Sequence, residues 1–169
     1  TKYIFLKKEG NTHKKEGNTK YVLAIGNDLA RDWETLEKSW DESFPLLKII
    51  TSLPFKTNKL NIEIINGNWH SQFLSDVEMR DLYVNSEFVI LPLKQTFQPS
   101  GQSTCLQAMA CSKAVLISDI KGIWDRKLMK HKRNIFFVKP EDSKELNKGI
   151  KILINDIKMR KNIEGQGRL

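Results

Sequence analysis

A loop of small polar residues, Gln98–Ser103 (QPSGQS), leads directly into a predicted helix with the sequence TCLQAMAC. Gly101 has no Cβ and lets the backbone approach an anion closely, and Ser103 is placed to cap the helix through its hydroxyl. The first N–H groups of a helix have no intrahelical acceptor, and together with the helix dipole they bind phosphate. The loop therefore predicts a phosphate site that includes Ser100, Gly101, Gln102 and Ser103. The alternative is a polar loop that only caps the helix for stability.

A second group suited to phosphate follows another apolar run, YVLAIG. Asn27 comes directly after this run, and Arg31 stands at the start of the next predicted helix. A guanidinium can clamp phosphate oxygens with two parallel hydrogen bonds. The alternative is a surface arginine paired with Asp28 or Asp32. Two such groups at one edge of the fold are stronger evidence for phosphate binding than either group alone.

These residues are positioned by strands and helices that alternate from Tyr21 onward. The predicted strands are YVLAIG, LKIITSL, NIEIIN, EFVILPL, AVLISDI and NIFFVK. The predicted helices are RDWETLEKSWDESF, DVEMRDLYVNS, the segment that begins near Ser103, and PEDSKELNKGIKILINDI. The alternation predicts an α/β fold: a Rossmann-like, doubly wound parallel sheet of about six strands with helices on both faces. Ligands bind such a sheet at the carboxyl ends of its strands, where both candidate groups lie.

Helical spacing identifies the side chains that face the core. Trp33 and Trp40 lie on one face of the first helix and are predicted to be core residues, not a stacking platform for a ligand. In the second helix, Val77, Leu82 and Tyr83 are expected to be buried. Residues 1–20 contain the duplication KKEGNTH and KKEGNTK without apolar periodicity, which indicates a flexible, lysine-rich linker. The domain is therefore expected to span residues 21–169.

The chain has 169 residues and a net charge of +8, which favours an anionic partner. Its densest basic run is DRKLMKHKR, Asp125–Arg133. We interpret this run as a solvated basic surface, with the phosphates of a small ligand or anionic lipid headgroups as alternatives. Nucleic acid is not expected, because the run lacks interleaved aromatic residues.

The two cysteines, Cys105 and Cys111, lie in one predicted helix at a spacing that turns them to different faces. No disulfide is therefore expected, and with no CxxC pair and three scattered histidines no metal site is expected either. Reduced cysteines favour a cytoplasmic location. No apolar run approaches the ~18 residues that span a bilayer.

The segments SDVEMRDLYVNSEFVILPL and QPSGQSTCLQAMACSKAVLISDIKGI resemble the C-terminal domain of group 1, family-four type retaining glycosyltransferases of the GT-B fold. That family shows an "fVvLPS"-like strand and then EGFGLPxLEAMACGxPVVxSDxGG. The resemblance extends from Tyr21 to about Leu169 and is most specific between Leu82 and Gly122. The segments GNDLARDWETL and NIFFVKPEDSKEL also fit family patterns.

The sequence departs from the family pattern at several positions that bind the donor. The family's two glutamates fall on Pro99 and Gln107; the first contacts the donor sugar and the second holds ribose hydroxyls. Gln107 keeps hydrogen-bonding capacity without the charge, whereas Pro99 offers no side-chain hydrogen bond. The family's basic pair falls on Asn27 and Arg31, so one cation is retained. Ser112 replaces the usual glycine after AMAC.

The resemblance implies a domain that binds a sugar nucleotide, within an enzyme that transfers the sugar with retention to a glycan, lipid or other acceptor in polysaccharide biosynthesis. It makes Arg31 the catalytic cation. The implied donor-binding residues are Asn27, Ser100, Gly101, Gln102, Ser103 and Gln107. No metal or other cofactor is expected, because the donor loop has no DxD-like pair.

The resemblance accounts only for the donor-binding half of a GT-B enzyme. The N-terminal, acceptor-binding domain is therefore an expected partner, and the chain alone is expected to transfer nothing. A further expected partner is either the anionic inner face of the membrane or a lipid-linked acceptor. The alternatives are a catalytically inactive nucleotide-binding scaffold and a sugar-nucleotide epimerase of the same fold.

Overall fold

The computed structural model describes residues 20–67 and 74–167, so the predicted linker lies, except for Lys20, outside the described residues. The elements follow in the order β1 (Tyr21–Ile25), α1 (Trp33–Ser39), β2 (Leu46–Thr51), β3 (Ile62–Asn66), α2 (Asp76–Asn85), β4 (Val89–Leu91), α3 (Gln102–Ala110), β5 (Val115–Ser118), β6 (Phe136–Val138), α4 (Ser143–Asn155) and α5 (Ile157–Gly167). None of the described helices is both long and apolar enough to cross a membrane.

The strands form one six-stranded sheet in the order β3-β2-β1-β4-β5-β6. Each neighbouring pair runs parallel, which confirms the predicted doubly wound α/β fold. The strand order reverses between β1 and β4, and in open parallel sheets ligands bind outside the carboxyl ends of the strands at this reversal. The fold therefore places a candidate site at the ends of β1 and β4.

Two hydrophobic cores lie on the two faces of the sheet. Side chains from α1, α4 and α5 form one core, and side chains from α2 and α3 form the other. Trp33 and Trp40 lie in the first core, as predicted, with 5% and 1% of their surface exposed. Tyr83 of α2 is buried in the second core and Leu82 packs against it.

The predicted burial of Val77 is wrong, because its side chain is 63% exposed. Val77 lies in the first turn of α2 and on a different side of the helix from Tyr83, the residue that reaches the sheet. Helical spacing identifies residues that share a face, but it does not show how much of that face the neighbouring elements cover.

The outer edge of β6 is covered by the segment that precedes it. The Phe137 N–H donates a hydrogen bond to Nδ1 of His131 at 3.0 Å, and the Lys132 N–H donates to the Ile135 carbonyl at 2.7 Å. Edge strands expose unpaired N–H and C=O groups that can pair with other chains. His131 therefore satisfies one edge donor, but only while its Nδ1 carries no proton.

We expect this contact to make stability depend on pH. Burial lowers the pKa of His131 below its ordinary value of 6.5, and Lys132 lowers it further, while Asp119 and Glu145 act in the opposite direction. The unfolded chain then binds the proton more readily than the folded chain. The free energy of unfolding should therefore fall as the pH drops through 6.5 and level off below the folded-state pKa.

Urea unfolding of the wild type and of His131→Gln across this pH range measures the effect. The difference between the two curves isolates His131 from the other histidines, and the variant should show a flatter pH dependence. Equal slopes for both proteins would contradict a neutral, accepting His131.

Candidate phosphate-binding site

The connection from β1 to α1 is fixed against the end of β4. Arg31 forms an antiparallel bridge with Leu93, and the Asp32 N–H donates to the Pro92 carbonyl at 3.0 Å. Asp32 also caps α1, since its Oδ1 accepts from the Thr35 N–H at 3.1 Å. These contacts bring the predicted elements, the loop after β1 and the loop after β4, to one place.

The guanidinium of Arg31 lies at the centre of this place. Its Nε donates to the Ile25 carbonyl at 3.1 Å, and one terminal nitrogen lies 2.7 Å from Oδ2 of Asp28 and 3.3 Å from Oγ of Ser100. The other terminal nitrogen lies 3.4 Å from Oγ1 of Thr104. Only 2% of the Arg31 side chain is exposed. The predicted pairing with Asp28 is therefore present, but Arg31 is buried and not a surface residue.

The charge of Arg31 is balanced by one partly exposed carboxylate. Burial lowers the pKa of Arg31, and Asp28 and Tyr83 oppose that effect; an arginine nevertheless stays protonated in proteins. The Asp28 side chain is 46% exposed, and its Oδ1 accepts a hydrogen bond from Ser100 at 2.9 Å. A buried cation whose counterion reaches solvent can exchange that counterion for an anionic ligand.

Two glycines make room for the guanidinium. A Cβ on Gly26 would overlap Nε of Arg31, so a larger residue there would force the buried guanidinium to move. Gly101 has φ +77, a left-handed conformation, and a Cβ there would lie 3.4 Å from a terminal nitrogen of Arg31. The loop sequence indicates Gly101, but the close approach of Gly26 to Arg31 depends on tertiary contacts that no motif shows.

The first turn of α3 has no side-chain cap. The helix begins at Gln102, its N-cap is Gly101, and the Cys105 N–H donates to the Gly101 carbonyl at 2.9 Å. The predicted capping role of Ser103 is therefore wrong: the left-handed turn at Gly101 starts the helix earlier and makes Ser103 an exposed helical residue. Within the described residues, the N–H groups of Gln102, Ser103 and Thr104 have no acceptor.

Other helices of this chain are capped by side chains. Asp32 caps α1, Ser75 and Glu78 form a capping box on α2, and Asp142 caps α4. The loop before α3 thus does not follow the alternative interpretation, in which its polar residues cap the helix for stability. Three free N–H groups beside a guanidinium are instead suited to a phosphate or diphosphate.

Asn27 lies at the same edge of the sheet, but its amide already has protein partners. Its Nδ2 donates to the Gly67 carbonyl at 2.7 Å, and its Oδ1 accepts from the Ser52 N–H at 2.6 Å. The side chain thereby links the ends of β1, β2 and β3. Contact between Asn27 and a donor stays a prediction, and the observed contacts give this residue a structural role.

Gln107 lies further along α3 and has an unpredicted partner. The Tyr83 hydroxyl donates to Oε1 of Gln107 at 3.1 Å. Burial raises the pKa of Tyr83, so the hydroxyl keeps the proton that it donates. The Gln107 side chain is exposed, and among the described residues its Nε2 has no acceptor, so this amide can donate to a ligand. Helical spacing predicts Tyr83 as a core residue alone, and no sequence signal indicates its contact with Gln107.

The fold is an open α/β sheet, and the candidate anion site lies at its reversal of strand order. The chain belongs to the group 1 glycosyl transferases, since the model of that family matches residues 29–156. This confirms the resemblance inferred from the motifs around Leu82–Gly122. No curated protein sequence matches the chain significantly.

Several solved glycosyltransferase structures share the fold. The Anabaena Alr3699/HepE structure in complex with UDP-glucose is 16% identical, with a TM-score of 0.67, and the match covers 88% of this chain and 42% of that one. Sucrose-phosphate synthase from Thermosynechococcus elongatus is 19% identical, with a TM-score of 0.67 and coverage of 89% and 40%. This chain thus spans less than half the length of either protein.

One similar structure contains a single domain, and the match covers most of this chain and most of that domain. It is the C-terminal domain of a group 1 glycosyl transferase, LpcC, from Francisella tularensis, with 18% identity and a TM-score of 0.65. The match covers 88% of this chain and 82% of that domain. At these identities the likeness shows the fold, which is that of a GT-B glycosyltransferase domain.

Proposed function

We propose that this chain is the donor-binding domain of a retaining glycosyltransferase that takes a sugar from a nucleoside-diphosphate sugar. The observation that carries the proposal is the buried guanidinium of Arg31 beside the uncapped first turn of α3, at the reversal of strand order. The Anabaena relative contains UDP-glucose in its structure, which supports a sugar nucleotide as the ligand. Hexosyl transfer in polysaccharide synthesis is the activity that we propose for the whole enzyme.

In the proposed complex the diphosphate lies between Arg31 and α3. The N–H groups of Gln102, Ser103 and Thr104 bind its oxygens, and Gly101 allows close approach because it has no Cβ. The guanidinium exchanges Asp28 for a phosphate oxygen or shares its donors between the two. Ser100, which already contacts both residues, adjusts to the new acceptor.

The catalytic contribution of this domain is electrostatic. When the bond between the sugar and the diphosphate breaks, negative charge grows on the departing phosphate oxygens. Arg31 and the positive end of the α3 dipole stabilise that charge at fixed positions. We propose that the chain uses no metal or other cofactor for this step.

A second domain is part of the proposal, because GT-B enzymes bind the acceptor on another domain. By itself the chain should bind the donor weakly and transfer no sugar. For the whole enzyme we propose a cytoplasmic location. Its further partner is an anionic membrane surface or a lipid-linked acceptor, and nucleic acid is not among the proposed partners. The two free cysteines support the location.

A catalytically inactive nucleotide-binding scaffold is the second candidate, and Pro99 favours it. Pro99 stands where the family glutamate contacts the donor sugar, and its exposed ring supplies no hydrogen bond. Release of free sugar from the donor by the longer enzyme would separate the candidates. A scaffold binds the nucleotide and leaves the donor intact.

The proposed ribose contact of Gln107 gives the direct test of nucleotide binding. The ligand that binds best among UDP, GDP and ADP is titrated calorimetrically alongside inorganic pyrophosphate, which has no ribose. Gln107→Ala should weaken binding of the nucleotide by about 0.5–1.5 kcal/mol, the net contribution of one hydrogen bond. It should leave the affinity for pyrophosphate unchanged.

Gln102→Ala is the matched control, since this exposed side chain lies on the same helix and its proposed contact uses the backbone. It should leave both affinities unchanged. A parallel loss of both ligands in Gln107→Ala would mean that the helix itself had been disturbed. The absence of binding by all three nucleotides to the wild type would contradict the proposed function.

A further inference from the structure

The net positive charge of this protein comes from one part of the chain. Residues 1–120 contain 14 Lys and Arg and 14 Asp and Glu, so they are balanced. Residues 121–169 contain 14 Lys and Arg but 6 Asp and Glu, and they carry the whole net charge of +8. This basic part includes β6, α4 and α5, whereas the candidate donor site lies on the ends of β1 and β4.

The densest group of cations lies on residues 126–133, called here the basic segment, which runs from the carboxyl side of β5 to the amino end of β6. Arg126 pairs with Asp119 at 2.8 Å. The other cations of the segment are exposed, and they are Lys127, Lys130, Lys132 and Arg133. Within the described residues, no carboxylate lies at ion-pair distance from any of these four. Their charge is therefore available to an external anionic partner.

The basic segment has a fixed shape. The Lys130 N–H donates to Oδ1 of Asn134 at 2.8 Å, and Nδ2 of Asn134 donates to the Leu128 carbonyl at 2.9 Å. Met129 is buried in the second core, with 8% of its surface exposed. With these contacts in place, Leu128 is 59% exposed. In the sequence it lies between two exposed lysines, Lys127 and Lys130.

We propose that the basic segment docks this domain on an anionic lipid bilayer. Unpaired lysines and arginines are attracted to the negative surface of anionic lipids, and an exposed apolar side chain among them inserts between headgroups. The lack of exposed aromatic residues within the segment argues against single-stranded nucleic acid, which binds by base stacking. The inference rests on the membrane partner proposed above and does not depend on the donor site.

Sedimentation with vesicles tests the charge requirement. The 169-residue chain should bind phosphatidylcholine vesicles that contain phosphatidylglycerol, and binding should weaken as the salt concentration rises. It should not bind vesicles of phosphatidylcholine alone. The double variant Lys127→Gln/Arg133→Gln should lower the partition coefficient at least about tenfold, since each cation near the surface contributes to attraction.

The matched control is Lys38→Gln/Lys56→Gln, which removes the same charge from exposed positions of the balanced part. It should keep vesicle binding within about twofold. For the apolar contact, Leu128→Ser should lower the partition coefficient several-fold, while Leu60→Ser, at a fully exposed position, should not. Circular dichroism melting confirms that every variant is folded.

Equal losses of vesicle binding in Lys127→Gln/Arg133→Gln and in Lys38→Gln/Lys56→Gln would overturn the proposal, because net charge alone would then explain binding. Tighter binding to single-stranded RNA than to the vesicles, lost in Lys127→Gln/Arg133→Gln, would overturn it in favour of nucleic acid. Lys127→Gln/Arg133→Gln should bind the nucleoside diphosphate as the wild type does, and Arg31→Ala should bind vesicles normally. Failure of the membrane proposal is thus distinguishable from failure of the donor site.

Discussion

Arg31→Ala should remove most of the affinity for nucleoside diphosphates and should also destabilise the fold. A charge-assisted hydrogen bond contributes about 1.5–3 kcal/mol, which corresponds to a loss of affinity of roughly 10- to 150-fold. The free energy of unfolding should also fall by ~1–3 kcal/mol, because the buried Ile25 carbonyl and Thr104 hydroxyl each lose a hydrogen-bond donor. Calorimetric titration and urea unfolding on one preparation measure the two losses.

Two variants separate charge from geometry. Arg126→Ala removes a half-exposed arginine that pairs with Asp119 and donates to the Ile120 carbonyl. It should leave nucleotide affinity unchanged and lower stability by about 0.5–1.5 kcal/mol, the net contribution of one hydrogen bond. Arg31→Lys keeps the charge but loses the planar arrangement of donors, so its affinity should lie between those of the wild type and Arg31→Ala. Wild-type affinity in Arg31→Ala would remove this residue from the donor site.

Gly101→Val should lose both nucleotide binding and stability, for two different reasons. A β-branched residue at φ +77 is strained, which costs about 1–3 kcal/mol of unfolding free energy. The added side chain also lies beside Arg31 and the free N–H groups of α3, where the diphosphate is expected. Affinity should therefore fall at least about tenfold, beyond any effect of strain.

Asparagine tolerates the left-handed conformation, so Gly101→Asn should keep more stability than Gly101→Val while still weakening binding. Gly165→Val is the matched control, since a Cβ at Gly165 meets no atom within 4 Å apart from the nearby backbone of its own helix. That variant should bind nucleotide normally. If Gly101→Val folds and also binds normally, the loop before α3 is not the donor site.

The sequence predicts the sheet and the approximate place of the site because both depend on local patterns. Apolar strand runs and helical spacing identify the six strands and the main helices, and chain connectivity brings Arg31 and Gly101 to one edge. The burial of Arg31 and the contact between Tyr83 and Gln107 could not be predicted. Each depends on which helix packs against which strand, and that is settled by tertiary contacts.

The error at Ser103 has a related origin. Serine before a helix is a common cap, and spacing alone does not distinguish a capping position from the first helical turn. The left-handed φ of Gly101 decides where the helix starts. Residue type does not predict this angle, because glycine adopts either sign of φ. The consequence is favourable for binding, because the turn without a cap keeps its donors free.

The carboxylate of Asp28 has a consequence for turnover. Because it neutralises Arg31, a diphosphate that binds at the proposed site replaces one anion by another instead of meeting an unpaired cation. The gain in electrostatic free energy on binding is then smaller than the contact between guanidinium and phosphate suggests. The same exchange in reverse lets Asp28 recapture the guanidinium when the spent nucleotide departs, so we expect it to hasten product release, a step that limits the rate of many enzymes.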